Sequence, residues 1–177
     1  RTAVDSEGSW FEPQEVTELR RRLPIPYLDI VPVRTDVDGS VEEVGLLLRA
    51  SGAGRIVRAI VSGRVLVHES LREAISRHID KDLGPMAMPR IPVSPVPFTV
   101  AEYFPTPGIS PFHDPRQHAI SLAYVVPIDG ETAPQEDALE LTWFGIDELV
   151  AESSPLDEME GGRDLLVRRA LAHVGAN

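Results

Sequence analysis

The densest run of chemistry-bearing side chains lies between Gly63 and Pro85, GRVLVHESLREAISRHIDKDLGP, which holds Glu69, Glu73, Arg77, His78, Lys81 and Asp82. Leu71, Ile75, Ile79 and Leu83 recur at every fourth position, so the stretch reads as a turn, then a helix with one apolar face, then a closing glycine at Gly84. At about 3.6 residues per turn, His78 and Asp82 fall together on a neighbouring face with Lys81 beside them. Glu73 and Arg77 stand four apart in the favourable order for an ion pair along the helix. A second polar cluster, HDPRQH, runs from His113 to His118. Other hydrolytic chemistries lack their residues: there is no Gly-x-Ser-x-Gly, no His-Glu-x-x-His and no cysteine.

The spacing carries a resemblance. Gly63 is followed by Glu69, Arg77, Ile79 and Gly84 at the intervals of the Nudix box, and Glu69, Ser70, Glu73 and Ala74 match the usual opening of the box helix. The chain therefore resembles the Nudix hydrolases, and the resemblance implies an α/β fold, a Nudix-type α/β/α sandwich with a mixed central sheet. It also implies that Gly63, Glu69, Glu73, Arg77 and Gly84 hold the loop-helix-loop in shape. The activity it implies is hydrolysis of a phosphoanhydride in a nucleoside diphosphate linked to another group, with a divalent ion activating water.

The same alignment puts the family's three metal and base glutamates on His78, Lys81 and Asp82, and only Asp82 keeps the charge. Mg²⁺ takes hard anionic oxygens in octahedral geometry, and a lysine ammonium repels it. Two functional readings follow. In one, His78 and Asp82 hold a softer ion, Mn²⁺ or Zn²⁺, with a further ligand from Glu102, His113, Asp114 or Glu140. In the other, Lys81, the chain's only lysine, supplies a fixed charge where the metal would sit and holds a phosphate, joined by Arg49, Arg58, Arg64 or Arg116 as forked donors. Beside these stand plainer readings: His78 as a half-buried helix residue, the arginines as solvated or paired, and HDPRQH as a turn built by Asp114-Pro115. The resemblance gives HDPRQH, and His113 within it, a part in ligand selection. Function is thus held between a hydrolase with weakened or altered catalysis and a non-catalytic nucleotide or phosphate binder.

The elements that must position these residues follow from the pattern. A helix from Glu12 to the proline at Pro24, with Trp10 and Phe11 as a packing staple, makes residues 1–25 an N-terminal extension, a cap or a dimer element. Residues 27–35 and 41–50 read as strands joined at Asp38-Gly39, with Pro32 marking an edge or a bulge. A third strand runs from Arg55 into the box. Five prolines between 85 and 97 make an extended crossover. Residues 98–105 and 118–128 read as strands around a proline-rich loop. ALELTWFGIDEL is a late strand leading into a short helix, and GGRDLLVRRALAHV, from Gly161, is a closing amphipathic helix.

With 177 residues and 42% hydrophobic content the chain builds one core and one domain, 1–177. A net charge of −11 opposes nucleic acid and anionic membrane as partners and favours a small nucleotide-type ligand. No apolar run approaches the roughly 20 residues of a membrane span, which suits a cytoplasmic protein.

Overall fold

The structure is a computed structural model that describes residues 11–135 and 138–176. The first ten residues of the expected extension, Trp10 among them, lie outside the described residues. In chain order the elements are α1 (Pro13–Arg22), β1 (Ile25–Thr35), β2 (Val41–Ala50), β3 (Ile56–Ala59), β4 (Val61–Arg64), α2 (Leu71–Leu83), β5 (Thr99–Phe104), β6 (Phe112–His113), β7 (Ala119–Pro127), β8 (Ala138–Gly145), α3 (Ile146–Val150), a 3₁₀ turn (Pro155–Glu158) and α4 (Arg163–His173).

β1 organises the sheet because both of its faces are apolar. Leu28 and Ile30 belong to one core and Tyr27, Val31 and Val33 to the other, so the strand needs a layer on each side. Ile75, Ile79 and Leu83 of α2 fill the first core, and Leu166, Val167, Ala170 and Leu171 of α4 fill the second. Each fully buried aliphatic side chain contributes roughly 1.5–3 kcal/mol. The result is the expected mixed sheet between helical layers.

Along its length β1 pairs in parallel with β7, which continues to antiparallel β5 and the short β6. Its other side is shared. Antiparallel β4 takes Tyr27 to Ile30, and antiparallel β2 takes Val33 to Thr35. β2 then leaves β1 to pair with β3 and β8. Two strand expectations are corrected here. Pro32 lies neither on an edge nor at the irregularity, which falls between Arg34 and Thr35; it stands where β1 changes partner, between the registers ending at Ile30 and beginning at Val33, where no ladder bond is lost. The expected third strand is two, because β3 pairs with β2 whereas β4 crosses to β1.

The helix α2 begins with a capping box in which Ser70 Oγ accepts from the Glu73 amide (3.2 Å) and Glu73 Oε2 accepts from the Ser70 amide (2.8 Å). It ends at Gly84, whose φ of +96° suits glycine. The proline-rich crossover is tied at Arg90, which donates to Thr35 Oγ1 (2.8 Å) and pairs with Asp129 (3.1 Å).

Candidate functional site

A cavity of about 390 Å³ opens where α2, the β2–β3–β4 region, α1 and the start of α4 converge. Its lining includes Arg20, Arg49, Arg58, Arg64, Arg77, Arg116, Arg163 and Lys81, with Glu160 the one carboxylate among the described lining residues. Eight of the chain's seventeen lysines and arginines therefore face one space in a protein of net charge −11. Arg49, Arg58, Arg77, Arg116 and Arg163 are paired with carboxylates, so the excess of positive charge is smaller than the count of cations.

The box supplies the floor. Arg77 forms a two-pronged ion pair with the buried Glu69, Nε to Oε1 at 2.6 Å and Nη2 to Oε2 at 3.0 Å, and also donates to the Arg64 carbonyl (2.9 Å). Glu69 accepts from the Leu66 amide (2.9 Å) as well, so one ion pair braces the turn between β4 and α2. Burial works against the Glu69 charge, but the Arg77 and Leu66 bonds outweigh it and hold the carboxyl below its ordinary range. The expected Glu73–Arg77 pair is corrected: Glu73 is spent on the Ser70 cap, and the turn carries Glu69 alongside Arg77 instead.

His78 is 5% exposed. Its Nε2 lies 2.8 Å from the Arg64 carbonyl, which can only accept, and 3.3 Å from Arg77 Nη2, which can only donate; the shorter contact makes Nε2 the protonated donor and leaves Nδ1 buried without a hydrogen-bond partner among the described residues. Burial above all, and then the charges of Arg77 and Lys81, push its pKa down to about 4. The ring lies against Gly63, where a Cβ would come within 2.0 Å of His78 Cε1, so the box glycine here is what lets the histidine in. Asp82, 4% exposed, is paired with Arg49 Nη2 at 3.4 Å.

These contacts test the fit of a divalent ion. His78 Nε2 is taken by the Arg64 carbonyl and its unprotonated Nδ1 is buried, Asp82 faces an arginine, and Lys81 lines the same cavity. No group of three or more histidines and carboxylates comes together among the described residues. The further ligands expected from the facing loops are engaged elsewhere or face outward: Glu140 takes Arg58 Nη1 (3.1 Å), Asp114 takes Arg116, and Glu102 is exposed on β5. Among the described residues, His78, Lys81 and Asp82 make a donor set that does not fit Mg²⁺, and no set suited to Mn²⁺ or Zn²⁺ comes together.

Of the residues expected to touch ligand, Arg49, Arg58, Arg64 and Arg116 line the cavity and His113 does not. His113 sits on β6 with Nε2 against the Pro105 carbonyl (3.2 Å). Most of the cavity arginines are braced from behind. Arg58 pairs with Glu140 and Glu158, and Asp114 holds Arg116 by a fork of 3.0 and 2.9 Å. Burial alone would raise the Asp114 pKa, but the Arg116 bonds outweigh it and lower it.

Two cavity arginines had no place in the sequence reading. Arg20 comes from α1, and Arg163 from the first turn of α4, where it meets Asp29 at 3.4 Å. Asp29 is fully buried in the apolar β1, and it accepts from Tyr103 Oη (2.9 Å) and Ser121 Oγ (2.7 Å). An isolated aspartate within YLDIVPV was the available signal, since a charge in a two-faced core strand requires partners.

The model of a family described as a domain of unknown function (DUF4916) matches residues 6–176. Among solved structures, one described as a possible asymmetric diadenosine tetraphosphate (Ap4A) hydrolase from Jonesia denitrificans shares 57% identity over 88% of this chain and 97% of its own, with a TM-score of 0.84. The NUDIX domain of Shewanella oneidensis NrtR, complexed with ADP ribose, covers 93% of this chain and 94% of its own at 14% identity and a TM-score of 0.61. A NUDIX-family hydrolase from Clostridium perfringens covers 86% and 97% at 14% identity and a TM-score of 0.59. No curated protein sequence matches.

Proposed function

The chain belongs to the DUF4916 family and has the Nudix fold, and on that premise we propose that it binds nucleoside-linked polyphosphates without a metal, its arginines supplying the charge a divalent ion would otherwise bring. The observation that carries this reading is the set of seven arginines and Lys81 that lines the cavity, with Glu160 the one carboxylate among the described lining residues. Forked guanidinium groups match phosphate oxygens in pairs. Because Arg49, Arg58, Arg116 and Arg163 are already held by carboxylates, little side-chain ordering is left to oppose binding. Water activation, by contrast, finds little support: Glu160 is committed to Arg55, and the unprotonated nitrogen of His78 is buried.

A second reading, metal-dependent hydrolysis of a dinucleoside polyphosphate, is favoured by the description of the 57%-identical Jonesia denitrificans structure. Both readings share a ligand class, so turnover separates them. Incubation with Ap4A and with ADP-ribose, in Mg²⁺ and in Mn²⁺, followed by anion-exchange chromatography of the products, is expected to leave both compounds intact. Product formation above the protein-free rate, abolished by chelation, would make the protein a hydrolase and overturn the binding reading.

A further inference from the structure

Helix α1 is held lightly, with Val16 its only buried residue, yet its last turn delivers Arg20 to the cavity. Arg20 Nε donates to Gln117 Oε1 (2.9 Å), a neutral partner, and Gln117 Nε2 donates to Asp114 Oδ2 (3.0 Å), the carboxylate that also grips Arg116. Arg64 stands directly across from Tyr27 in the β4–β1 register, and Tyr27 faces the Arg116 guanidinium. Three arginines from α1, β4 and the loop before β7 thus gather around one tyrosine on one flank of the cavity.

Their charge is not balanced. Asp114 is the only carboxylate that pairs with any of the three among the described residues. The Arg20 charge is disfavoured, first by burial and then by Arg116 and Arg64. Clustered like charges of this kind raise the free energy of the empty site, and a multivalent anion relieves it.

We propose that Arg20, Arg64 and Arg116 form a seat for a run of linked phosphates, and that filling it fastens α1 to the body of the protein. This rests on the polyphosphate-binding reading and deepens it: the seat recognises the phosphate chain itself, whatever nucleoside is attached. It therefore takes inorganic tripolyphosphate as well as a nucleotide, and affinity rises with phosphate number.

The test uses the whole chain in EDTA, titrated by calorimetry with tripolyphosphate, AMP and ATP, alongside Arg20→Gln and Arg64→Gln. Tripolyphosphate is expected to bind the parent and to lose about tenfold in affinity in each variant, a drop equivalent to about 1.4 kcal/mol, while AMP changes by less than twofold. Amide hydrogen exchange across 13–22 is expected to slow on adding tripolyphosphate to the parent and not to Arg20→Gln. Arg64→Gln leaves α1 untouched, so the seat stays testable even where Arg20→Gln loosens the helix. Equal tripolyphosphate affinity in the parent and Arg64→Gln would overturn the seat, and so would unchanged exchange in α1. If the parent bound tripolyphosphate but no nucleotide, the nucleotide reading would fail while the seat survived. If nucleotides bound tightly and both variants bound tripolyphosphate as the parent does, the seat alone would fail.

Discussion

Buried His78 makes the fold sensitive to mild acid, and the size of the effect follows from its surroundings. Its pKa falls from 6.5 to about 4 on folding. Between those values the unfolded chain binds a proton that the native protein refuses, so stability rises with pH in that window and is lost as pH falls from 6.5 toward 4. At about 1.36 kcal/mol per pH unit, the full loss is about 3 kcal/mol, of which about 2 kcal/mol should have gone by pH 5. Glu69 and Asp114, with lowered pKa values, add losses of the same sign but below their ordinary range near pH 4. Urea denaturation at pH 7.5, 6 and 5 reads the slope. His78→Gln, whose side-chain amide can still donate to the Arg64 carbonyl, should flatten the profile between pH 7.5 and 5 at whatever stability it starts from. A flat profile in the parent, or an equally steep one in His78→Gln, would refute the assignment of this histidine as a buried neutral packing residue.

Three further perturbations address the box. Arg77→Ala leaves the buried Glu69 carboxylate unpaired and should cost roughly 3 kcal/mol of stability, measured by denaturation, with a smaller effect on ligand affinity. Gly63→Ala places a methyl 2.0 Å from the His78 ring and should destabilise by roughly 1–3 kcal/mol; in a His78→Ala background most of that penalty should vanish, which a double-mutant cycle would detect. Replacing His78 and Lys81 together by glutamate sets two carboxylates beside Asp82 on α2, and should produce a calorimetric Mg²⁺ signal at millimolar concentration that the parent lacks.

The fold was largely legible in the sequence because it is written in short-range pattern. The four-residue apolar repeat of α2, the β-branched run of β7 and the spacing from Gly63 to Gly84 each specify a local shape that the tertiary structure keeps. What the pattern could not express is partnership. RIVRAIVSG reads as one strand because alternation reports which face a residue takes but not which neighbour the strand has, and the chain changes neighbour at Ile60. Pro32 reads as an edge signal until the switch from β4 to β2 shows that no ladder bond is wanted there.

The site was legible at the level of residue type and obscure at the level of pairing. Arg49, Arg58, Arg64 and Arg116 stood out as forked donors and all face the cavity. Asp29 within the apolar β1 signals that a partner exists but not which one, because Arg163, which it orients, lies 134 positions away. Local rules also favoured Glu73 for Arg77, whereas the Ser70 cap claims Glu73 and the turn offers Glu69. His113 reads as a ligand-facing residue until β6 fixes it beside the Pro105 carbonyl.

The claim that fixed arginines stand in for a metal is tested most directly by one comparison: the calorimetric affinity of the parent protein for Ap4A, measured in EDTA and again in millimolar Mg²⁺. Substitution of the ion by the cavity's own charges predicts the same affinity in both buffers, within about twofold after allowance for Mg²⁺ bound by the free nucleotide. Binding that appears only with Mg²⁺, or tightens about tenfold or more (about 1.4 kcal/mol), would contradict the account and place a metal at the centre of the site.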